Sequence, residues 1–340
     1  MSTYAEAGIH LDDAHQTTKR IREIVAGARG AGVLADVGAF GGMFRLGAAG
    51  EFKDPVLVAS VDGIGTKVKI AAILGRYDGL GADIVNHCLN DIAVQGARPL
   101  FFLDYLALHR ADPEIVTTLV QSVAAACREA GCALLGGETA EMPDVYPPGE
   151  FDVAGLIVGV LDRDQVGVNG EPEVGDVLIG LSSVGLHTNG YSLARRALPA
   201  ETWDAFDPAL GMTIGEALLI PHRSYLREIQ ALIGAGARGF AHITGGGLPE
   251  NVARTMPTGV TAEIDINSWE PPAIFRLIAA RGGVAEDEMY RVFNMGIGLV
   301  SAVPASRVKD ARQAVPDLIV IGRTVARDNG NPVRLIQSTA

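Results

Sequence analysis

The chain has 340 residues, of which 48% are hydrophobic and 20% are charged, and its formal net charge at pH 7 is −12. This length exceeds the size at which a single hydrophobic core usually stops growing, so we expect two domains. The shortage of Lys and Arg argues against a nucleic-acid partner, because binding to a phosphate backbone needs an excess of positive charge. Small phosphorylated ligands remain open, since a metal ion can supply positive charge locally.

The cysteines and the hydropathy pattern indicate the cellular compartment in which the protein works. Cys88, Cys127 and Cys132 lie in apolar stretches without metal-ligand spacing, which indicates buried thiols in a reducing cytoplasm. The first residues lack the basic and then apolar pattern of a signal peptide. The longest uncharged run, 177–194, is interrupted by Ser, His, Thr and Asn, so we expect no membrane-spanning segment. We therefore expect a cytoplasmic protein without a membrane partner.

The chain begins with a predicted helix near 13–28, followed by a glycine-rich stretch over 32–50. A stretch of this composition is either a lid over a ligand or a simple connector. The sequence leaves both alternatives open.

A buried strand predicted over 56–61 leads into the motif Asp62-Gly63-Ile64-Gly65-Thr66-Lys67. The two glycines allow the backbone to turn and to present N–H groups to an anion. The motif fits a tight turn after a strand. It equally fits a metal–nucleotide site, in which Asp62 holds Mg²⁺ and Lys67 contacts phosphates.

Helices and strands alternate in the rest of the first half. We predict helices over 84–94 and 115–127 and strands over 100–107, 132–136 and 153–161. His87, Asp91 and Gln95 share one stripe of the first of these helices, because each lies four residues from the next. Glu138 follows a strand at a glycine turn, as Asp62 does. Half-buried acids of this kind need a partner, which is either an arginine or Mg²⁺.

The polar stretch 166–176 interrupts the alternation, and we place a domain boundary there, with domains 1–168 and 169–340. In the second half we predict strands over 177–181, 240–243, 297–302 and 318–325. His187 lies in a turn rich in Ser and Asn, where it is either solvated beside a helix N-cap or part of a substrate pocket. The turn 244–247 before a helix is a second candidate phosphate-binding turn.

Six segments of the chain, taken together and in this order, resemble the phosphoribosylformylglycinamidine cyclo-ligase family, which is also called aminoimidazole ribonucleotide synthetase. They are residues 62–67, 90–105, 136–143, 182–193, 242–251 and 288–298. The resemblance covers nearly the whole chain. Departures are mild: Thr188 stands where the family often has Ser, and Leu248-Pro249 stands where a Phe is usual.

The resemblance implies two domains of mixed class, α+β and α/β. The N-terminal α+β domain forms a dimeric β-barrel with its copy in a homodimer, and the C-terminal domain is α/β. The implied reaction is the ATP-dependent cyclisation of formylglycinamidine ribonucleotide to aminoimidazole ribonucleotide, with release of ADP and phosphate, in de novo purine biosynthesis. The implied cofactors are ATP and Mg²⁺.

The resemblance also implies roles for particular residues. Those expected to hold Mg²⁺ are Asp62, Asp91 and Glu138. Those expected to contact ATP are Gly63, Gly65, Thr66, Lys67, Gly136, Gly137 and Thr139. Those expected to face the ribonucleotide are Ser183, His187, Asn189, Gly245, Gly246 and Gly247. The residues expected to be catalytic are Asp62, Lys67, Asp91, Glu138 and His187.

Other ATP-using enzymes of the same superfamily remain as alternatives, namely thiamine-monophosphate kinase, selenophosphate synthetase and a hydrogenase-maturation dehydratase. Selenophosphate synthetase is expected to carry a reactive Cys or selenocysteine near its N-terminus, whereas the first cysteine here is Cys88. A nucleotide-binding regulatory protein without turnover is an alternative from a different class. All three acids and the motifs of the second half argue against it.

The four predicted strands of the first half are apolar on both faces, and the two helices can cover only one of them. The other face and the unpaired edges of an open sheet need a cover. We therefore expect an obligate homodimer that forms through the first domain.

Overall fold

The computed structural model describes residues 11–34, 41–328 and 330–338. The predicted lid or connector over 32–50 falls partly on 35–40, which lie outside the described residues. The chain divides into two compact units.

The first unit comprises the described residues up to Ile92 together with Ala97–Arg163. Its helices and strands are α1 (Leu11–Ala26), β1 (Pro55–Gly63), α2 (Lys67–Leu74), α3 (Leu80–Ala93), β2 (Arg98–Leu108), α4 (Pro113–Ala130), β3 (Ala133–Glu141) and β4 (Phe151–Asp162). All four predicted strands are present, and each is longer than predicted. The extra length matters at two of the predicted site residues, because Asp62 and Glu138 lie inside β1 and β3 and not in turns after them.

Helix α4 shows how the local sequence sets the bounds of an element. The side chain of Asp112 accepts hydrogen bonds from the backbone N–H groups of Glu114 and Ile115, and Pro113 occupies the first turn. The helix ends at Gly131, whose φ of +67° lies in the left-handed region that favours glycine. Seven apolar residues of this helix are buried: Val116, Leu119, Val120, Val123, Ala124, Ala126 and Cys127.

The first unit contains one four-stranded sheet in the order β1-β4-β2-β3. Only β2 and β3 are parallel, and the other two neighbouring pairs are antiparallel. The inner face is buried, with Phe102 and Ile157 both at 0% exposure. On the outer face Leu57, Val61 and Tyr105 are 62%, 67% and 41% exposed. The prediction that helices cover one face and leave a second, apolar face is confirmed.

The second unit comprises Ala93–Gly96 and the described residues from Asp164 onward. Its helices and strands are β5 (Val177–Ser182), α5 (Tyr191–Ala197), β6 (Phe206–Asp207), β7 (Met212–Thr213), α6 (Ile214–Leu219), α7 (Leu226–Gly234), β8 (Arg238–His242), α8 (Gly247–Ala253), β9 (Val260–Asp265), α9 (Ala273–Gly282), α10 (Glu286–Val292), β10 (Ile297–Val303), α11 (Val308–Ala314), β11 (Ile319–Ala326) and β12 (Val333–Ile336). The domain boundary at residue 168 stays a prediction.

The second unit has a six-stranded sheet in the order β12-β9-β11-β5-β10-β8, and β6 pairs with β7 separately. Strands β12 and β9 are parallel, whereas the other neighbouring pairs of the large sheet are antiparallel. Strand β10 is buried along its whole length, since it lies inside the sheet. The turns that follow β5 and β8 carry the predicted ribonucleotide residues.

Two expectations from composition can be compared with the structure. All three cysteines are buried and unpaired by disulfide, as predicted. Among the described helices none is long and apolar enough to cross a bilayer.

Candidate metal and substrate sites

Asp62, His87 and Asp91 form a compact cluster of possible metal ligands in the first unit. The Nε2 atom of His87 lies 2.9 Å from Oδ2 of Asp62 and 3.9 Å from Oδ2 of Asp91. One ligand atom from each of the three residues lies within 4.8 Å of the other two. Two carboxylates and an imidazole at such spacing can hold a divalent cation.

Strand β1 and helix α3 place these groups together. His87 and Asp91 are four residues apart on α3 and therefore project from the same side of the helix. Both aspartates are oriented by nearby donors: the Gly63 N–H donates to Asp62 Oδ1 at 2.8 Å, and Ser60 Oγ donates to Asp91 Oδ2 at 3.1 Å. These bonds fix the carboxylates toward the histidine before any ion binds.

The cluster is closed on the histidine side and open on the acid side. The side chain of His87 is 5% exposed, whereas those of Asp62 and Asp91 are 43% and 32% exposed. Burial by itself lowers the pKa of His87, but the hydrogen bond and charge of Asp62, with the charges of Asp91 and Asp83, outweigh burial and raise it. An ion held here would keep open coordination positions on its solvent side, where Mg²⁺ takes phosphate oxygens and water. The residues present therefore fit a metal–phosphate site.

Lys67 does not face solvent. Its ammonium lies 2.8 Å from both carboxylate oxygens of Asp83, and both side chains have 0% exposure. Burial lowers the pKa of Lys67, and the charge and hydrogen bond of Asp83 oppose this shift. In this structure the lysine of the motif is thus part of a buried ion pair, while its contact with ATP phosphates stays a prediction.

The residues of the first motif between Asp62 and Lys67 lead from β1 into α2. Gly65 has φ +71°, which supports the prediction of a glycine-dependent turn, and Thr66 directly precedes the helix. The N–H of Gly63 is used by Asp62, and the N–H of Ile64 donates to the Val153 carbonyl at 3.1 Å. Both of these N–H groups are therefore engaged within the protein.

Within one copy of the chain, Glu138 is on the opposite face of the sheet from Asp62. It is exposed in β3 and pairs with Tyr105 in a parallel ladder, so that its side chain is on the outer face of the sheet. Asp62 pairs with Gly155, whose inner side packs on Phe102 and α3, and is therefore on the inner face. Glu138 is accordingly absent from the cluster found among the described residues.

The other predicted ATP contacts of this segment, Gly136, Gly137 and Thr139, also lie inside β3. A Cβ atom on Gly137 would lie 2.3 Å from Oδ1 of Asp104 on the neighbouring strand. This close approach explains why the position holds a glycine. It gives Gly137 a packing role whatever its role toward ATP.

The second unit brings His187 together with two histidines that the sequence analysis did not single out. The His187 ring stacks on His222 with ring centroids 4.1 Å apart, and His222 Nε2 lies 3.0 Å from His242 Nε2. Oγ1 of Thr188 lies 3.2 Å from Nδ1 of His222. His187 is 1% exposed, so the alternative of a solvated histidine is wrong. Helix α5 begins after Gly190, which caps it without a side-chain hydrogen bond.

The other predicted substrate residues lie around this histidine group. Ser183 Oγ donates to Asn294 Oδ1 at 2.8 Å, and Asn294 Nδ2 donates to the Gly185 carbonyl at 2.9 Å. These bonds hold the loop after β5 in place. A Cβ atom on Gly245 would lie 3.4 Å from Asn189 Oδ1, so the two predicted turns are neighbours.

The glycine turn itself tolerates no side chain at its last position. Gly246 and Gly247 have φ of +92° and +59°, and a Cβ atom on Gly247 would lie 2.0 Å from the Tyr290 carbonyl oxygen. The side-chain amide of Asn251 donates to the carbonyls of Gly245 and Gly247 at 3.1 and 2.8 Å. The turn is therefore rigid, as a preformed binding turn needs to be.

Two family models match successive parts of the chain. They are described as AIR synthase related protein, N-terminal domain, over residues 47–161, and AIR synthase related protein, C-terminal domain, over 173–333. The crystal structure of thiamine-monophosphate kinase from Stenotrophomonas maltophilia K279a is 19% identical, has a TM-score of 0.67, and covers 95% of this chain and 96% of that chain. The hydrogenase maturation protein HypE in complex with ATP is 16% identical, has a TM-score of 0.68, and covers 95% of this chain and 90% of that chain. The fold is thus that of the AIR synthase related class.

Similarity to a curated relative shows which family of this class the chain belongs to. The phosphoribosylformylglycinamidine cyclo-ligase of Trichlorobacter lovleyi is 47% identical over 313 residues, which cover 91% of this chain and 89% of that protein. This chain belongs to the phosphoribosylformylglycinamidine cyclo-ligase family. The resemblance stated from the sequence is confirmed, and so is the predicted class of enzyme, a ligase of purine biosynthesis.

Proposed function

We propose that this chain uses ATP to cyclise formylglycinamidine ribonucleotide to aminoimidazole ribonucleotide, with release of ADP and phosphate. The proposal rests on the 47% identity to a cyclo-ligase over 91% of the chain. Two features support the use of ATP: the cluster of Asp62 and Asp91 fits a metal–phosphate site, and a protein of the same fold was solved in complex with ATP.

In the first unit, Asp62 and Asp91 hold Mg²⁺ and present it to the phosphates of ATP. When bound there, the ion would supply positive charge to the phosphates of ATP. The Gly63 N–H and Ser60 Oγ keep the two carboxylates oriented, so that little reorganisation is needed when the nucleotide binds. The roles of Lys67 and the glycines toward ATP, and of Glu138 toward Mg²⁺, stay predictions.

The chemistry follows from the need to expel a poor leaving group. The γ-phosphoryl group moves to the formyl-amide oxygen of the substrate, which forms an O–P bond and releases ADP. An amidine nitrogen of the same molecule then attacks the activated carbon, the C–O bond breaks, phosphate departs and the nitrogen loses a proton. Holding the substrate in a folded arrangement supplies much of the rate, because the attack is intramolecular.

In the second unit, Ser183, His187, Asn189 and the turn 245–247 face the ribonucleotide. The fixed loop after β5 and the rigid glycine turn are neighbours, which supports a preformed pocket. His187 has φ +61°, a conformation that costs free energy for a residue other than glycine and that recurs at functional sites.

A turnover assay tests the proposed function. Purified protein with ATP and Mg²⁺ should release ADP only when formylglycinamidine ribonucleotide is added, and aminoimidazole ribonucleotide should appear in equal amount. Thiamine monophosphate serves as the matched control substrate, because a kinase for it shares this fold. Equal release of ADP with thiamine monophosphate would overturn the assignment.

We further propose that two copies of the chain pair through the outer face of the first sheet, as in the dimeric barrel implied by the resemblance. The exposed Leu57, Val61 and Tyr105 and the open edges at β1 and β3 support this pairing. The interface should be apolar and exceed about 2,000 Å² in total. Sedimentation at micromolar concentration should show one species of twice 35.6 kDa. A folded and active monomer would contradict the proposal.

The cytoplasm is the proposed location. Three buried, unpaired cysteines support it, because extracellular compartments oxidise thiols. Fractionation of cells that produce the protein should recover it with the cytoplasmic markers, and recovery with secreted proteins would contradict this.

A further inference from the structure

We propose that His87 is itself a ligand of the metal ion, so that this chain binds its cation through one imidazole nitrogen and two carboxylates. The site would then favour Mn²⁺ over Mg²⁺ more strongly than a site built from oxygen ligands alone. The inference rests on the proposed metal site at Asp62 and Asp91, and it adds a ligand and a metal preference to that site.

The distances around His87 Nε2 are close to those in an octahedral ion site. An ion about 2.1 Å from each ligand holds neighbouring ligand atoms about 3.0 Å apart and opposite ones about 4.2 Å apart. The distance of 2.9 Å between His87 Nε2 and Asp62 Oδ2 corresponds to neighbouring positions. The distance of 3.9 Å to Asp91 Oδ2 lies between the two values, so a small rotation of a carboxylate completes the geometry.

Burial keeps the imidazole beside any ion that reaches the two carboxylates. The ring of His87 is 5% exposed, and its Nε2 is directed at both acids from one turn before Asp91 on α3. Packing therefore prevents the ring from leaving the cluster, unlike a surface histidine. An ion that contacts both Asp62 and Asp91 therefore lies next to this nitrogen.

The opposite role for His87 would be that of a fixed positive charge. A protonated ring bonded to Asp62 would occupy the place of the cation and weaken metal binding. The two roles make opposite predictions, because removal of a ligand loosens binding of Mn²⁺ whereas removal of a competing charge tightens it. Imidazole also suits Mn²⁺ better than Mg²⁺, which prefers oxygen and retains water.

Pulsed electron paramagnetic resonance of bound Mn²⁺ tests the inference directly. The full chain is loaded with Mn²⁺ and a non-hydrolysable ATP analogue at pH about 8, where a histidine ligand releases its proton to solvent as the ion binds. We expect a nitrogen-14 coupling typical of a directly bound imidazole. Growth on nitrogen-15 histidine should convert it to a nitrogen-15 coupling, and this result needs no substitution that could disturb the fold.

Two variants complete the test. His87→Leu should abolish the nitrogen coupling and weaken Mn²⁺ binding at least about tenfold, with a smaller effect on Mg²⁺. His109→Gln is the matched control in the same unit, because His109 Nδ1 lies 2.7 Å from the Tyr146 carbonyl oxygen and outside the cluster. It should retain both the coupling and the affinity.

The outcomes separate this inference from the proposed function. Phosphorus coupling to bound Mn²⁺ without nitrogen coupling, or tighter binding of Mn²⁺ by His87→Leu, would overturn the role of His87 and leave the metal–nucleotide site intact. A wild-type chain that binds no Mn²⁺ even with the ATP analogue would overturn the site itself. Nitrogen coupling that His87→Leu abolishes and His109→Gln retains would establish the inference.

Discussion

Replacement of Asp62 by Asn should lower kcat by about a hundredfold or more, as is typical when one charged group that stabilises a transition state is lost. The amide has nearly the same shape as the carboxylate and can still accept the Gly63 N–H, but it carries no charge for the cation. Asp62 is 43% exposed, so the fold should tolerate the change. Steady-state kinetics with formylglycinamidine ribonucleotide, beside a thermal melt, measure both effects.

The matched control is Asp162→Asn, at the far end of the β1–β4 pair. Asp162 Oδ1 also accepts backbone N–H groups, from Lys53 and Asp54, both at 2.9 Å. This variant should keep the wild-type kcat, because it loses the same charge away from the cluster. Full activity in folded Asp62→Asn protein would show that Asp62 has only a structural role in β1.

Replacement of Lys67 by Met should lower the free energy of unfolding by about 3–5 kcal/mol, because it removes the ammonium that lies 2.8 Å from the buried Asp83 carboxylate. Both side chains have 0% exposure, so solvent does little to screen the charge that remains. The double variant Lys67→Met with Asp83→Leu should recover most of this loss, since neither charge then remains. Urea unfolding measures all three proteins.

An exposed ion pair of the same unit is the control for Lys67. Arg20 and Glu114 are paired with side chains 47% and 80% exposed, and Arg20→Met should change stability by at most about 1 kcal/mol. If Lys67→Met kept wild-type stability and lost only affinity for ATP, then Lys67 would contact phosphate as the resemblance implies. The experiment thus separates the two roles of this lysine.

Elements could be predicted from the sequence more reliably than the faces on which side chains lie. The four strands of the first sheet follow from apolar runs bounded by Gly and Pro, and α4 follows from its capping residue and its period. The position of Glu138 could not be predicted, because β3 continues through Gly136 and Gly137 as a strand. Which face a strand residue occupies depends on register, and register is set by partners distant in sequence.

The ion-pair partners of charged residues could not be predicted from the sequence either. Lys67 and Asp83 are 16 residues apart, and nothing in their local sequence distinguishes a buried pair from two exposed charges. His87 is different, because its spacing of four from Asp91 put both on one stripe of a predicted helix. That spacing was the available signal for the cluster, and only the position of Asp62 in the adjacent strand completes it.

In the second unit, the sequence indicated both turns but missed His222 and His242. His222 lies between α6 and α7, and His242 is the last residue of β8 and the first of the segment 242–251. Their relation to His187 arises from the packing of segments between β5 and β8 and could not be deduced from spacing. The stacking distance of 4.1 Å between His187 and His222 is a tertiary feature.

The most direct test of the proposed reaction uses substrate with oxygen-18 in its formyl-amide group. The phosphoryl group is transferred to this oxygen, which then leaves the carbon as part of phosphate. We expect each inorganic phosphate released to carry one oxygen-18 atom, and phosphate to form in equal amount to aminoimidazole ribonucleotide and ADP. Phosphate without oxygen-18 would mean that ATP is hydrolysed without activating the amide, and it would contradict the account.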